Sequence, residues 1–295
     1  MTNTTQFDFQ LRKKERETMQ SKQTMDLARH LIKSAPATGF SVDPLTREEL
    51  ADWRETMAAY REKYGFKRVH AQLLTTDNDK LGKSEVPSFG LSLAPAHTSE
   101  IWQVCRYSSP GCREVCLATA GNGRYDSVTR ARQYRTALLG DHPALFLRVV
   151  AHELRKLVTK HGEIRFRFNI LSDLPVEHFC PDLLTLPGIK AYDYTKYPSD
   201  RRTPSANYRL VGSVHERHTD DDIRGMVNDY GSAAVVFNTL RDKPLPATYT
   251  AHNITVVDGD KSDDRTMASE VGVLIGLRAK GDAIGATGNS FIRTA

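Results

Sequence analysis

The feature that most constrains the fold is an alternation of short strand-like runs with helix-length segments between residues 89 and 281. The strand-like runs are FGLSLAPA, IRFRFNIL, GIKAYDYTK, YRLVGSVHE, AAVVFNTL, ITVVDGD and GVLIGLRAKG. Segments long enough for a helix, such as SVTRARQYRTALLG and TDDDIRGMVNDYG, separate several of them. Repeated strand–helix alternation is typical of a parallel α/β architecture. We therefore predict an α/β fold.

One of these runs indicates how the sheet is shaped. In IRFRFNIL, residues 164–171, apolar side chains occupy one face, and the other face carries Arg165, Arg167 and Asn169. If helices cover the apolar face, the polar face looks into an interior that is not a hydrophobic core. A sheet curled around a polar interior fits this pattern. The expected fold is a full or partial parallel (β/α) barrel.

The N-terminal part of the chain has a different character. Residues 10–70 read as helix, and Thr46 with Glu49 forms a capping-box pattern at the start of one helix. Residues 75–87 are rich in Asp, Asn, Gly, Pro and Ser, as loops are. We predict a helical N-terminal extension over residues 1–75 and a barrel-like domain over residues 76–295.

Polar residues follow the predicted strands, at the edge where active sites of parallel α/β folds lie. Hydrogen-bonding and acid–base roles are predicted for Asn169, Asp173, Lys196, Asp258 and Asp260. Cofactor binding is predicted for Ser172, Ser213 and Asn238. Arg167 is a candidate to neutralise an anionic substrate.

Three of the four cysteines lie within twelve residues, at Cys105, Cys112 and Cys116. The turn at Pro110–Gly111 allows the three thiols to converge, and thiolates select zinc or an iron–sulfur cluster. Zinc would require a fourth ligand such as Cys180 or His97, whereas a [4Fe–4S] cluster on three cysteines keeps one iron open to a substrate. We favour the cluster, with zinc and unliganded cysteines as alternatives. His215 and His218 do not have the HExxH spacing of zinc proteases.

Composition sets limits on location and partners. No segment approaches the roughly 20 apolar residues that cross a bilayer, and no apolar run follows the basic residues near the N-terminus. We expect a cytoplasmic protein with reduced thiols. The formal net charge is +5, and residues 121–170 contain ten Lys/Arg against four acidic residues. That segment would suit a phosphate-bearing partner, but a solvated helix face is the interpretation that we favour.

The order of the cysteine loop, SVTRARQYRT, NILSDL, AYDYTK and NYRLVGS resembles the gene product 88 family of phage proteins, which has relatives in plasmids and bacterial genomes. The resemblance covers roughly residues 88–281. It implies a phage or mobile-element origin and residence in a bacterial cytoplasm, and it implies no particular activity.

The cysteines also resemble those of radical S-adenosylmethionine enzymes, which carry three cysteines after the first strand of a partial (β/α) barrel. This resemblance implies that Cys105, Cys112 and Cys116 hold a cluster whose open iron binds S-adenosylmethionine. The spacing here is C-x6-C-x3-C instead of C-x3-C-x2-C, and Ser172-Asp173 stands where those enzymes have Gly-Gly-Glu. Asn169 or Asp173 would then meet the amino group of S-adenosylmethionine.

The sequence as a whole leads to one preferred function and two alternatives. The preferred one is a phage-type iron–sulfur enzyme that acts on a polar small molecule, a nucleotide or a nucleic acid. One alternative is a replication or regulatory protein that binds nucleic acid and uses zinc to fold its cysteine loop. The other is a catalytically silent binding module that keeps the barrel. Neither the substrate nor the oligomeric state follows from the sequence.

Overall fold

A nine-stranded, mostly parallel sheet forms the centre of the computed structural model, which describes residues 24–65, 72–75, 86–96, 98–99, 101–266, 270–286 and 288–295. The described strands are β1 Met25–Asp26, β2 Leu74–Thr75, β3 Ser88–Leu91, β4 Trp102–Gln103, β5 Ile164–Arg167, β6 Ile189–Thr195, β7 Tyr208–Ser213, β8 Ser232–Phe237, β9 Thr248–Tyr249, β10 Ile254–Asp258 and β11 Val273–Arg278. The described α-helices are α1 Leu27–Ser34, α2 Arg47–Lys63, α3 Pro110–Glu114, α4 Asp126–Asp141, α5 Pro143–His161 and α6 Asp220–Tyr230. Strands β1 and β4 form a separate two-stranded sheet.

The order of the strands departs from that of a barrel. Seven parallel strands follow one another as β3-β5-β6-β7-β8-β11-β10, and β2 and β9 add antiparallel edges. After β8 the chain leaves one strand position empty and forms β10 beyond it. The later strand β11 then occupies the position between β8 and β10. Within the described residues the sheet ends at β2 and β9, which do not pair with each other. The predicted α/β class is confirmed, but the described strands do not form a closed barrel.

The outer face of the sheet carries the main hydrophobic core. Helix α5 buries Leu147 and Leu154 in the same cluster as Phe166 of β5 and Leu210 of β7. Helix α6 packs over β8, β10 and β11 in a second cluster. The apolar side chains of β5 therefore face the helices, as the period of two in residues 164–171 predicted, whereas Val211, Ala234 and Ile275 form a small apolar cluster on the opposite face of the sheet.

The inner face of β5 and β6 is charged, and the chain itself covers it. Residues 259–266, which we call the crossing segment, run from the end of β10 back across the sheet. Asp263 accepts hydrogen bonds from Arg167 of β5 and from the hydroxyl of Tyr192 of β6, both at 3.1 Å. Asp264 accepts one from Arg165 at 2.8 Å. The polar face of β5 therefore faces buried ion pairs, where an open cavity was expected.

Arg265 fixes the crossing segment in place. Its side chain is fully buried, donates to the Tyr194 hydroxyl at 2.9 Å and to the carbonyl oxygen of Gly259 at 2.9 Å, and pairs with Glu270. The guanidinium of Arg167 stacks over the Tyr194 ring at 4.8 Å. Charge, hydrogen bonding and aromatic contact thus replace a hydrophobic core on this part of the inner face.

The N-terminal helices pack on the same core as the sheet. Helix α1 buries Leu27 and Leu31, and helix α2 buries Trp53 and Met57, all within the cluster that contains Phe166. The predicted capping box at the start of α2 is confirmed, because the Thr46 hydroxyl accepts from the Glu49 backbone and the Glu49 carboxylate accepts from the Thr46 backbone. Residues 35–46 separate the two helices. Residues 10–23 and 66–70 of the predicted helical stretch lie outside the described residues, and the division at residue 75 stays a prediction. None of the described helices is long and apolar enough to cross a membrane.

The ion pairs of the crossing segment give a prediction about stability. Asp263→Asn should lower the free energy of unfolding by about 3–5 kcal/mol, because it breaks a buried pair and leaves the Arg167 charge only the longer contact to Asp193, at 3.7 Å. Asp264→Asn should cost less, because Arg165 also pairs with Glu163. Urea denaturation measures both changes, with the exposed Asp242→Asn as control. A loss below about 1 kcal/mol for Asp263→Asn would contradict the role of the pair.

Candidate functional site

The cysteine loop lies over the carboxyl ends of the central strands. The backbone N–H of Asp173, in the loop after β5, donates to the carbonyl oxygen of Val104 at 2.9 Å. The thiol of Cys105 donates to the carbonyl oxygen of Leu171 and accepts from the backbone N–H of Ala96, both at 3.4 Å. The loop is therefore attached to the chain segments that follow β3 and β5. This is the edge at which parallel α/β folds hold ligands.

Glu216, three residues past the end of β7, holds the cysteine loop from the other side. Its carboxylate accepts from the Ser109 hydroxyl at 2.5 Å and from the Gly111 backbone N–H at 2.9 Å. Burial acts to raise the pKa of Glu216, but these two hydrogen bonds outweigh it and lower the pKa. Position 111 has room only for glycine, because a Cβ there would lie 2.9 Å from Phe291 Cβ and 3.1 Å from Glu216 Cδ.

The C-terminal segment completes the enclosure. Arg293 pairs with Phe237 at the end of β8 in a parallel bridge. This pairing brings Asn289 and Phe291 over the cysteine loop, where the Asn289 amide donates to the carbonyl oxygen of Gly111 at 3.2 Å. Phe291 packs in a small cluster with Val115 and Cys112. Chain segments that lie far apart in sequence therefore enclose the three cysteines.

The three cysteines lie near the ammonium group of Lys196. Burial raises the pKa of Cys105 and of Cys116, and in each case the neighbouring thiols raise it further. Burial acts to lower the pKa of Lys196, but Cys112, Asp173 and Cys105 outweigh it and raise the pKa. The ammonium donates to the Ser213 hydroxyl at 2.8 Å and lies 5.4 Å from the centre of the Phe291 ring. The cysteine loop thus brings three thiols near one cation.

The donor set suits a thiolate-bound metal, although the side chains are not placed in a coordinating arrangement. Within the described residues, no group of three or more His, Cys, Asp or Glu side chains is arranged to hold a metal ion. Cys180 is fully buried in the outer core and donates to the carbonyl oxygen of Phe40 at 3.4 Å, so it is not a fourth member of the cysteine site. His97, the other predicted fourth ligand, lies outside the described residues.

The residues predicted after β5 have positioning contacts. The Asn169 side chain donates to the carbonyl oxygen of Leu174 and accepts from the Ser172 hydroxyl at 2.7 Å. Asp173 accepts from the backbone N–H of Lys196 at 2.8 Å, and burial raises its pKa although the Arg202 guanidinium lowers it. Asp173 and Lys196 lie at the cysteine site, whereas Asn169 and Ser172 shape the loop beneath it.

The other predicted residues lie at the ends of later strands. Arg278 pairs with Asp258 at 2.9 Å and with Asp260 at 3.3 Å, and Lys280 pairs with Asp260 at 2.6 Å. Asn238 donates its backbone N–H to the carbonyl oxygen of Arg293 at 2.9 Å, which fixes the C-terminal segment beside β8. The carboxylates thus form local ion pairs, and Asn238 acts through the backbone.

Sequence reasoning missed two histidines at the site. His215 and His218 follow β7, and their rings stack with centroids 3.6 Å apart. The Lys196 ammonium donates to the hydroxyl of Ser213, two residues before His215, so the pair lies near this ammonium. Burial lowers the pKa of both histidines, and Lys196 is among the charged groups that lower it further. The available signal is an H-x-x-H pattern directly after a strand, which has no zinc-protease spacing but places two imidazoles at the carboxyl edge.

The contacts of Glu216 give a prediction about the cysteine loop. In Glu216→Gln the amide has one acceptor oxygen for two donors, so the loop should open more readily. Alkylation of Cys112 by iodoacetamide in metal-free protein should accelerate by about tenfold, which corresponds to the loss of roughly one hydrogen bond to a charged group.

Mass spectrometry of the alkylated peptides measures this rate. The matched control is Glu163→Gln, because Glu163 precedes β5 at the edge of the sheet opposite the cysteine loop. Cys180 serves as an internal reference. Equal Cys112 alkylation rates in Glu216→Gln and in the unmodified protein would show that Glu216 does not restrain the loop.

The cysteine loop, the central strands and nearly all of the C-terminal segment lie within one known family. Residues 65–293 of the 295 match the model of the family described as Gene product 88. The match is longer than the resemblance at residues 88–281 that the motifs predicted, and it gives no support to the resemblance to radical S-adenosylmethionine enzymes. No curated protein and no solved structure matches the chain significantly. The chain belongs to the phage gene product 88 family.

Proposed function

We propose that the chain is an iron–sulfur enzyme that holds a [4Fe–4S] cluster on Cys105, Cys112 and Cys116 at the carboxyl edge of its parallel sheet. The observation that carries the proposal is that one loop, attached to the carboxyl edge by Cys105 and Glu216, brings three thiols together near the Lys196 ammonium. When bound, such a cluster supplies Lewis-acid or one-electron chemistry at the iron without a cysteine ligand.

The electrostatics of the site support an anionic occupant. Three thiolates give a cluster site negative charge, and the Lys196 ammonium lies next to them. For the cluster to bind, the thiols must rotate toward a common centre and the ammonium must move aside. The Ser213 hydroxyl already accepts from Lys196 and can hold the ammonium at the margin.

The protein residues have the remaining roles. Glu216 and Asn289 hold the cysteine loop in place. Asp173 fixes the start of the loop after β6 through the Lys196 backbone, and its buried carboxyl is the proposed proton carrier at the site. The substrate we propose is a polar small molecule or a nucleotide, in the cytoplasm of a bacterial host, where thiols stay reduced. S-adenosylmethionine is the proposed cofactor at the open iron.

The nucleic-acid alternative has less support. At least five of the ten basic residues between 121 and 170 are engaged within the chain itself, namely Arg132, Arg135, Arg148, Arg165 and Arg167. Arginines already bound to carboxylates and carbonyl oxygens contribute little to phosphate binding. The buried pairs of Arg165 and Arg167 with the crossing segment remove two of them from any surface patch.

Anaerobic reconstitution tests the cluster. Protein incubated with ferrous iron and sulfide should show a broad absorption band at roughly 400 nm and about four irons per chain. Alanine in place of Cys105, Cys112 or Cys116 should remove most of the iron and the colour. Cys180→Ala is the matched control and should retain both, because that thiol lies in the outer core.

Zinc analysis of the same samples decides between the two metals. About one zinc per chain and no colour would overturn the cluster and leave the zinc alternative. S-adenosylmethionine is tested separately with the reduced, loaded protein. A loaded protein that neither binds nor cleaves it would remove that cofactor without affecting the cluster.

A further inference from the structure

A histidine pair beside Lys196 has no role in the proposed cluster. His215 and His218 lie in the loop between β7 and α6, with rings stacked at 3.6 Å and inclined by 29°. Arg293 holds this loop by donating to the carbonyl oxygens of His215 at 2.8 Å and of His218 at 3.0 Å. The two imidazoles are therefore fixed relative to each other and to the C-terminal segment.

The hydrogen bonds of the two rings define which nitrogen carries the proton. Nδ1 of His215 accepts from the backbone N–H of Arg217, and Nδ1 of His218 accepts from the backbone N–H of His215, both at 3.2 Å. A neutral imidazole has one donor and one acceptor nitrogen, so the proton of each ring lies on Nε2. Binding a metal through Nε2 would require the other tautomer and would break both hydrogen bonds. The pair is built to donate hydrogen bonds.

Lys196 adds a third donor. Its ammonium donates one N–H to the Ser213 hydroxyl, and it lies 5.4 Å from the centre of the Phe291 ring. Across the described part of the chain, no carboxylate oxygen lies within 4.0 Å of the Lys196 ammonium, and neither histidine Nε2 has a hydrogen-bond partner. One ammonium N–H and two imidazole N–H groups are thus available.

The nearby carboxylates are engaged elsewhere. Glu216 accepts from Ser109 and Gly111. Asp173 accepts from the Lys196 backbone and pairs with Arg202. Asp222 forms a capping box with Thr219 at the start of α6. Burial lowers the pKa of His215 to about 4, and His218, Arg217 and Lys196 contribute to the decrease.

We propose that Lys196, His215 and His218 form a binding site for an oxyanion, the carboxylate or phosphate group of the substrate. Lys196, Ser213 and His218 are partly exposed, so a ligand can reach the donors from solvent. A doubly or singly charged oxyanion would accept from the ammonium and from the imidazole N–H groups. One part of this inference rests on the proposed function, namely that the bound anion is a group of the enzyme's substrate.

Titration of the metal-free, full-length protein with inorganic phosphate and, separately, with acetate tests the site. Isothermal titration calorimetry should show saturable binding of one equivalent of at least one of the two anions. Tighter phosphate binding assigns the site to a phosphate group, and tighter acetate binding assigns it to a carboxylate. The absence of saturable binding for both anions would overturn the proposal.

Two variants and one control locate the binding. Lys196→Met should weaken binding by roughly tenfold or more, as expected for the loss of a charge-assisted hydrogen bond. His218→Phe keeps a stacked ring, removes the N–H donor and should weaken binding by about fivefold. Lys190→Met is the matched control, because Lys190 is an exposed lysine at the opposite end of the same strand.

The affinities of the three variants decide the outcome. Equal binding by Lys190→Met and Lys196→Met, or unchanged binding in both Lys196→Met and His218→Phe, would overturn the site. Iron content after reconstitution separates this result from the cluster. If the His218→Phe variant keeps its iron and loses anion affinity, the oxyanion site is independent of the metal. Because the titration uses metal-free protein, its result stays valid if no cluster forms.

Discussion

The pairing of buried charges on the inner face of the sheet is the constraint on which the rest of the structure depends. Arg167 is nearly buried, and a buried cation costs several kcal/mol unless a carboxylate compensates it. The compensating Asp263 comes from residues 259–266, so the chain after β10 must return across β6 to β5. That crossing covers the inner face beside β5 and β6. The carboxyl edge of the sheet therefore remains as the place for a ligand.

The same return explains the order of the last strands. After crossing, the chain re-enters the sheet as β11 between β8 and β10. Strand β7 pairs with β8 only through Gly212 and Ser213, while β8 continues to Phe237. The exposed side of β8 then accepts the C-terminal segment at Arg293. Because the segment around Arg293 pairs with the end of β8, Phe291 and Asn289 reach the cysteine loop. If β7 paired with β8 along its whole length, this position would be occupied.

Local patterns in the sequence predicted the elements but not the way in which they are assembled. The run at residues 164–171 predicted the strand Ile164–Arg167, because alternating apolar side chains need only one covered face. The strand ends earlier than predicted because the Asn169 side chain binds the Leu174 backbone and turns the chain. The partners of Arg165 and Arg167 lie almost 100 residues away, and no local period connects such positions. The strand-end rule brought Asp173, Lys196 and Ser213 together with the cysteines, but it did not reveal that Asp258 and Asp260 pair with Arg278.

The proposed cluster and the proposed oxyanion site depend on one electrostatic feature. Lys196 is partly buried without a carboxylate within ion-pairing distance in the described part of the chain, and both the thiols and the histidine pair lie near it. Its raised pKa keeps the group charged, and an anionic occupant would be held by that charge. A thiolate-bound cluster would be such an occupant on the cysteine side. A substrate oxyanion would be one on the histidine side, held next to the open iron by the same lysine that balances the cluster.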